Sequence, residues 1–339
     1  MQLREIMAKK AISKIGFGTA PLGNMYRNIS EEEALATVAS AWDNGIRLFD
    51  TAPLYGAGLA EIRLGKALAT KNREDYLLIS KVGRIILDEL EDPLARDLGE
   101  KGGIFEFGRK NKIVYDYSEE ATLKSIEDSL KRLNTDYLDY VMVHDPARDF
   151  YGDNWIAQYE IARTGAFRTL NRLRDEGVIK GWGLGVNEVV PVEVLLDLEE
   201  VQPDATVLAG RYSLLDHEKS LQRLMPNALK KHMDIVVGGP YSSGILAGGT
   251  TFEYQQASPE IIEKVNKMKA IAEKYDIPLK AAALQFSLAH PAVAAVIPGA
   301  SKPERILEDQ AALEVVIPSS FWKELREQKL IAPDAPTPK

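Results

Sequence analysis

Short apolar runs rich in Val, Ile and Leu recur along the chain, separated by segments with helical spacing. The runs are continuously apolar rather than alternating, which is typical of parallel strands covered on both faces. Strand followed by helix, repeated eight times, predicts a closed (β/α)8 TIM barrel, with an open doubly wound sheet as the competing α/β architecture. The predicted strands are 15–20, 46–51, 77–81, 140–144, 181–187, 205–209, 234–238 and 295–299.

Helix starts are visible between these strands. Ser30 with Glu33 three residues later forms a capping-box pattern, and Ser118 opens a second helix with an apolar stripe. A third helix is predicted to begin near Phe167 and to end at Gly177. These signals place a helix after each of three strands.

Two intervals, 84–117 and 244–258, are too long for simple connections, and each follows the C-terminal end of a predicted strand. In a barrel that end carries the active site, so both are candidate specificity loops. We expect one barrel domain over residues 1–331 with a long insertion at 84–117, and a flexible proline-rich tail at 332–339. Insertion residues that could line a pocket are Phe105, Phe107, Arg109 and Tyr115.

Composition excludes several classes of protein. A net charge of −8 argues against nucleic acid as a partner, because phosphate binding requires clustered Lys and Arg. The chain has no cysteine and only four scattered histidines, so we expect neither disulfides nor a metal site. The sequence shows neither a signal-peptide pattern nor an apolar run near the roughly 20 residues that span a bilayer, so we expect a cytoplasmic protein without a membrane partner.

The usual dinucleotide fingerprint is incomplete. The segments starting at Gly16 and Gly183 each begin as G-x-G but lack the third glycine. A Rossmann site is therefore unsupported.

Polar residues stand at the ends of three neighbouring predicted strands. Asp50 and Lys81 suggest an ion pair, since a charge buried there would be costly without a partner. A phenol has a pKa near 10, so Tyr55 needs a nearby cation such as Lys81 to exchange protons near neutral pH. His144 could then orient a substrate oxygen. Taken singly, each residue has a purely structural alternative: a salt bridge, a loop aromatic or a packed histidine.

The segment 48–56, Leu-Phe-Asp-Thr-Ala-Pro-Leu-Tyr-Gly, resembles the first signature of the aldo-keto reductase superfamily. Asp50, Tyr55, Lys81 and His144 match the catalytic tetrad of that family one for one, and the resemblance extends over about residues 15–310. It implies an NAD(P) cofactor bound in extended form across the barrel mouth.

The same matching implies residues that hold this cofactor. Asn187 falls where the family binds the nicotinamide carboxamide, and Tyr241 falls where an aromatic ring stacks on the nicotinamide. Ser242, Gly244 and Leu246 lie on a loop that resembles the segment covering the pyrophosphate, although a plain flexible loop is an alternative.

The stretch 298–309 resembles the adenosine end of such a site, where a helix beginning near Pro303 would direct free N–H groups at a phosphate. Arg305 would clamp a 2′-phosphate or stack on adenine, and Glu308 and Asp309 would bind the adenine amino group. Because members that strongly prefer NADP often carry lysine where Gly299 stands, both NAD and NADP remain possible. The candidate contacts are Gly299, Ala300, Ser301, Arg305, Glu308 and Asp309.

Local stretches, including 81–84 and 208–215, look like the bacterial branch of D-threo-aldose 1-dehydrogenase (L-fucose or galactose dehydrogenase) and pyridoxal 4-dehydrogenase. The resemblance implies oxidation of a cyclic hemiacetal, an aldose or pyridoxal, to a lactone, with Tyr55 as general acid/base. Two alternatives stay open: a general NADPH-dependent aldehyde or ketone reductase, and a cofactor-sensing regulatory subunit.

Overall fold

The structure is a computed structural model that describes residues 2–96 and 103–338. Eight parallel strands follow one another around a sheet in the order β1-β2-β3-β6-β7-β8-β9-β12. They are β1 (Phe17–Gly18), β2 (Leu48–Asp50), β3 (Leu77–Val82), β6 (Tyr140–His144), β7 (Gly181–Val186), β8 (Ala205–Ala209), β9 (Asp234–Gly238) and β12 (Val293–Ile297). The strands β4 (Arg84–Leu90), β5 (Asn111–Tyr115), β10 (Thr251–Phe252) and β11 (Gln255–Gln256) lie outside this sheet.

The first and last strands meet and close the sheet. Ile15 bridges Val296 and Gly18 bridges Gly299, both in parallel. The amide of Gly16 donates to the carbonyl of Val296 at 2.8 Å, and the amide of Val296 donates to Lys14 at 2.8 Å. The predicted TIM barrel is therefore confirmed, and each predicted strand overlaps an observed one.

Helices cover the outside of the barrel. The interior is packed by side chains such as Leu48, Met142 and Val236, and the first helix, Leu3–Lys9, closes the N-terminal end with Leu3 and Ile6. The helices are α1 (Leu3–Lys9), α2 (Glu31–Asp43), α3 (Leu59–Leu68), α4 (Glu119–Leu133), α5 (Arg148–Tyr151), α6 (Trp155–Ala162), α7 (Arg168–Asp175), α8 (Val189–Asp197), α9 (Glu218–Gln222), α10 (Leu224–Lys230), α11 (Pro259–Lys274), α12 (Leu279–Leu288), α13 (Pro303–Glu314) and α14 (Ser319–Glu327).

The predicted helix starts are observed. The Ser30 hydroxyl accepts the amide of Glu33 at 3.0 Å, and the Ser118 hydroxyl accepts the amide of Ala121 at 3.2 Å. Such caps satisfy amides that have no partner within the first helical turn. The two serines thereby fix where α2 and α4 begin.

The two long intervals each form an antiparallel hairpin at the C-terminal mouth of the barrel. Strand β4 pairs with β5, placing Arg84 opposite Tyr115, and β10 pairs with β11. Residues 97–102 of the first interval lie outside the described part of the chain. The hairpins bring residues distant in sequence to the barrel rim.

The C-terminal segment differs from its expected flexibility. Ala332 and Ala335 are buried, the amide of Ala332 donates to Nε2 of His217 at 3.0 Å, and Arg326 donates to the carbonyl of Ala335 at 2.9 Å. Proline content reduces backbone hydrogen bonding without preventing this packing. In the ranges described, no helix is both long and apolar enough to cross a membrane.

Candidate active site

A buried lysine organises the barrel mouth. Strands β2 and β3 run in parallel, so their C-terminal ends bring Asp50 and Lys81 together. The Lys81 Nζ lies 2.9 Å from both carboxylate oxygens of Asp50 and 2.8 Å from the carbonyl of Thr51. It also donates to the Tyr55 hydroxyl at 3.1 Å. An ammonium has three protons, and here the acceptors are a carboxylate, a carbonyl and the phenol oxygen.

The ion pair is almost fully enclosed. Asp50 and Lys81 are each 2% exposed. Burial raises the pKa of Asp50, because a carboxylate loses hydration there, while the charge and hydrogen bonds of Lys81 act in the opposite direction. The lysine therefore compensates the carboxylate while directing one proton at Tyr55.

Glycine makes room for the lysine. A Cβ atom at Gly185 on β7 would lie 3.0 Å from Cε and 3.2 Å from Cδ of Lys81. At Gly183 on the same strand, a Cβ atom would lie 1.7 Å from the carbonyl oxygen of Ala205. The incomplete G-x-G pattern of this strand is thus explained by packing inside the barrel.

The loop that carries Tyr55 is held by two glycines. Gly56 has a φ of +65°, and a Cβ atom there would lie 2.3 Å from the carbonyl oxygen of Gly23. A Cβ atom at Gly23 would in turn lie 2.5 Å from the carbonyl carbon of Tyr55. This close approach of two backbones fixes the tyrosine at the rim.

Aromatic rings frame the Tyr55 side chain. The ring of Phe105, from the first long interval, stacks on it with centroids 5.7 Å apart and an interplanar angle of 30°. The His144 ring meets it edge-on at 5.9 Å. Three of the four predicted catalytic residues, Tyr55, Lys81 and His144, line a small cavity of about 80 Å³. The fourth, Asp50, holds the lysine and lines the cleft next to this cavity.

A larger cleft of about 320 Å³ adjoins this cavity and extends away from it. Tyr55 and Asn187 line both. The walls are rich in glycine, and a Cβ atom at Gly210 or Gly244 would meet nothing within 4 Å. The cleft is therefore open to a long ligand whose one end meets Tyr55, and an extended dinucleotide fits that description.

At the inner end of the cleft Asn187 is already engaged. Its amide nitrogen donates to Asp145 at 3.2 Å and to Asp149 at 3.1 Å, while its amide oxygen accepts the Tyr254 hydroxyl at 2.9 Å. A carboxamide oxygen binding there would have to replace one of the two bonds that the amide nitrogen donates, whereas the amide oxygen has a second lone pair available. Tyr254 lies on the β10–β11 hairpin, so a movement of this hairpin would free the amide oxygen of Asn187 from the Tyr254 hydroxyl.

Tyr241 also lines the cleft, and its hydroxyl donates to Asp309 at 2.6 Å. Lys280 forms ion pairs with Asp309 at 2.7 Å and with Glu308 at 2.9 Å, and Arg305 pairs with Glu308 at 2.9 Å. Burial, with the neighbouring Asp309, raises the pKa of Tyr241 far above its ordinary value. The residues expected at the adenosine end are thus already paired: Arg305 with Glu308, and Asp309 with Lys280 and the Tyr241 hydroxyl.

Of the remaining predicted cofactor residues, some line the cleft and others are buried in the core. Ser242, Gly244 and Gly299 line it, whereas the side chains of Leu246 and Ala300 are buried in the core. The hydroxyl and carbonyl of Ser301 accept from Arg27 at 3.0 and 3.1 Å. Leu246 and Ala300 can therefore contribute only backbone groups.

Sequence reasoning did not single out several residues that line these cavities. Met25 and Tyr254 line both cavities, and Arg211 lines the larger one. Arg211 forms ion pairs with Asp216 and with Glu253 of the hairpin and donates to the carbonyl of Asn187 at 2.6 Å. For Tyr254 the signal in the sequence was the unusual length of the interval 244–258, and Arg211 lies in the stretch 208–215 that carries the family resemblance.

Comparison with known proteins gives consistent results. The family model described as the Aldo/keto reductase family matches residues 14–329. Pyridoxal 4-dehydrogenase from Microbacterium luteolum is 39% identical over 333 residues, which cover 95% of each chain. D-threo-aldose 1-dehydrogenase from a Pseudomonas species is 34% identical over 334 residues, covering 97% of this chain and 96% of that one.

A solved structure has the same fold. The holo form of an aldo-keto reductase from Bacillus halodurans superposes with a TM-score of 0.69 at 26% identity. The match covers 95% of this chain and 93% of the other. Sequence and structure relatives therefore agree over nearly the full length of the chain.

Proposed function

This chain belongs to the aldo/keto reductase family of NAD(P)-dependent oxidoreductases, and on that premise we propose that it oxidises a cyclic hemiacetal to a lactone. The proposed substrates are an aldose in its ring form or pyridoxal in its hemiacetal form. The names of the two relatives, pyridoxal 4-dehydrogenase and D-threo-aldose 1-dehydrogenase, support this choice of substrate class.

The observation that carries the proposal is the Lys81–Tyr55 contact at 3.1 Å inside a cavity that also contains His144. A cation donating to a phenol oxygen favours the phenolate over the phenol. A phenolate at the cavity wall can accept a proton from a bound hydroxyl group. Oxidation of a ring hydroxyl requires such a base.

In the proposed reaction, one proton and one hydride leave the substrate. The anomeric hydroxyl of the substrate loses its proton to the Tyr55 oxygen, while the hydride on the same carbon leaves, so a C=O bond forms and the ring becomes a lactone. NAD(P)⁺, when bound in the larger cleft, would accept this hydride. Lys81 stabilises the phenolate before the transfer, and His144 donates a hydrogen bond that orients the substrate oxygen.

We propose that Asn187, Tyr241, Ser242, Gly244 and Gly299 hold the cofactor along the larger cleft, because all five line it. Arg305, with the backbone of 300–301, would serve the adenosine end. Either NAD or NADP is compatible with these residues, since Arg305 is exposed and its pairing with Glu308 is exchangeable.

The proposal is tested by following reduction of NAD and of NADP in mildly alkaline buffer, with L-fucose, D-arabinose, galactose and pyridoxal offered in turn. Reduction with one of them establishes lactol oxidation and the preferred cofactor. If none reacts while NADPH is consumed with simple aldehydes, the chain is a general reductase instead. Tight nucleotide binding without any turnover would favour a regulatory role.

The role of Tyr55 is tested separately. Tyr55→Phe should lower kcat by about a thousandfold, the typical contribution of a general acid or base, while cofactor affinity changes little. Tyr275→Phe is the control, since the Tyr275 hydroxyl bonds Glu324 on an outer helix. Turnover retained in Tyr55→Phe would remove Tyr55 from the proposed role.

A further inference from the structure

Arg84 is a buried cation beside the active site. It follows β3, the strand of Lys81, and is 1% exposed. Its guanidinium carbon lies 4.4, 4.7 and 5.6 Å from the ring centroids of Phe150, Tyr115 and Tyr117. These three rings form what we term the aromatic box. Faces of aromatic rings attract cations, so the box is a favourable environment for this buried charge.

The guanidinium makes one hydrogen bond to a side chain of the box. Its Nη1 donates to the Tyr117 hydroxyl at 2.9 Å and to the carbonyl of Gly83 at 2.9 Å. The Tyr151 hydroxyl donates to the same Tyr117 oxygen at 3.2 Å. A phenol oxygen that accepts two bonds has its own single proton left to donate.

That proton goes to the backbone of His144. The Tyr117 hydroxyl donates to the His144 carbonyl at 2.7 Å. The next amide, of Asp145, donates to the carbonyl of Gly185 on β7 at 3.0 Å. The peptide unit between His144 and Asp145 is therefore held at both ends.

The fixed peptide sits where the chain leaves the barrel. Asp145 has a φ of +46°, a left-handed conformation that is strained for a residue with a Cβ atom and is commonly found at functional sites. Both His144 and Asp145 line the small cavity that contains Tyr55. A rotation of this peptide would move both side chains relative to Tyr55.

The residue before Arg84 is a glycine that leaves room for the Tyr117 ring. Gly83 has a φ of +98°, and a Cβ atom there would lie 2.4 Å from Cε1 of the Tyr117 ring. Only glycine allows the ring to lie this close to the backbone. Burial raises the pKa of the Tyr117 hydroxyl well above its ordinary value, so the phenol keeps the proton that it donates.

We propose that Arg84 and Tyr117 are positioning residues that fix the His144–Asp145 peptide, and with it the direction in which His144 meets the substrate oxygen. This inference rests on the role given to His144 in the proposed function. Neither residue lines the two cavities described above, so both act through the backbone. A misplacement of about 1 Å at a reacting group can cost about a hundredfold in rate, which makes such a support consequential.

The test is Tyr117→Phe, which removes one hydroxyl and keeps the ring in the box. The matched control is Tyr159→Phe, because the Tyr159 hydroxyl is also buried and also donates to a backbone carbonyl, that of Pro191, at 2.9 Å. With the best substrate of the wild type, Tyr117→Phe should lower kcat by about tenfold to a hundredfold and leave cofactor affinity unchanged. Arg84→Met should reproduce the loss of kcat. The control should keep kcat within about twofold.

A second measurement is independent of turnover. The chain contains four histidines, so the ring ¹⁵N resonances of His144 can be assigned by single substitutions. Tyr117→Phe should shift the His144 resonances, and Tyr159→Phe should leave them in place. If the wild type is inactive on every substrate, the proposed function is overturned. The His144 resonances alone would then show whether Tyr117 positions His144.

Three results would overturn the inference. One is a kcat of Tyr117→Phe within twofold of an active wild type, whatever the resonances show. Another is an equal loss of kcat in Tyr159→Phe, since general loosening of the core would explain both. The third is an unchanged set of His144 resonances in Tyr117→Phe.

Discussion

Lys81 shows how much a single side chain can determine. Its ammonium group contacts Asp50, the carbonyl of Thr51 and the Tyr55 hydroxyl, all within 3.1 Å. Because a buried ammonium must direct its protons at acceptors, the lysine has little freedom to turn away from the tyrosine. The position of Tyr55 relative to the cation is therefore built in before any ligand binds.

Tyr241 provides a test of the proposed cofactor site at this scale. If its ring stacks on the nicotinamide, Tyr241→Phe should leave the Kd for NAD or NADP within about threefold, while Tyr241→Ala should raise it about tenfold or more. The hydroxyl is dispensable because Asp309 keeps its ion pair with Lys280 at 2.7 Å. Fluorescence titration of each variant gives the Kd. Equal affinities of the Ala and Phe variants would contradict stacking.

The sequence predicted some site residues and not others for a physical reason. Asp50, Lys81 and His144 stand at the ends of parallel strands, and strand ends converge on one rim in any such barrel. Tyr254 bonds Asn187 across 67 positions, through a hairpin whose pairing no local pattern specifies. Residues at strand ends were therefore predictable from the strand pattern, whereas Tyr254 was not; Phe105 of the other hairpin was a predicted pocket residue, and it lines the small cavity.

At the scale of elements, the strands of the barrel depend on glycine where backbones approach. Gly183→Ala should destabilise the protein by about 3 kcal/mol or more, because its Cβ atom would lie 1.7 Å from the carbonyl oxygen of Ala205 and β7 would have to separate from β8. Gly238→Ala on β9 is the control: its nearest neighbour would be the Ala209 side chain at 3.3 Å, and we expect about 1 kcal/mol or less. Denaturant unfolding measures both. Similar values for the two variants would refute the packing explanation.

The sequence predicted helices and strands better than the segments between them. Eight apolar runs and the caps at Ser30 and Ser118 were sufficient for the order of the main elements. The intervals 84–117 and 244–258 were recognisable by length, but their hairpins are stabilised by contacts with the barrel rim, such as Phe105 on Tyr55. Such tertiary contacts leave no periodic pattern in the sequence.

At the scale of the whole molecule, buried histidine links stability to pH. His290 is 8% exposed, its Nδ1 accepts the amide of Ala292 at 3.0 Å, and burial lowers the pKa of His290 to about 4. In the unfolded chain the histidine side chain has a pKa of about 6.5, so as the pH falls it is protonated in the unfolded chain before it is protonated in the folded protein. The stabilisation that neutral His290 gives is thus complete above about pH 6.5 and is lost as the pH falls toward 4. The free energy of unfolding decreases by about 3 kcal/mol over this range.

The substitution His290→Asn tests this linkage, since asparagine can accept the same amide but does not titrate. Relative to wild type, the variant should gain stability between pH 7 and pH 4, by up to about 3 kcal/mol. Urea unfolding at several pH values provides the comparison. Parallel curves for the two proteins across that range would show that His290 does not contribute.

The seam between β1 and β12 has a consequence for synthesis. Gly18 and Gly299 bridge each other there, and both line the larger cleft. One wall of the cleft therefore comes from the beginning of the chain and its neighbour from near the end. If the cleft holds the cofactor as proposed, a nascent chain on the ribosome has no complete cofactor site until its last strand has emerged, and a prematurely released product would lack one wall of it.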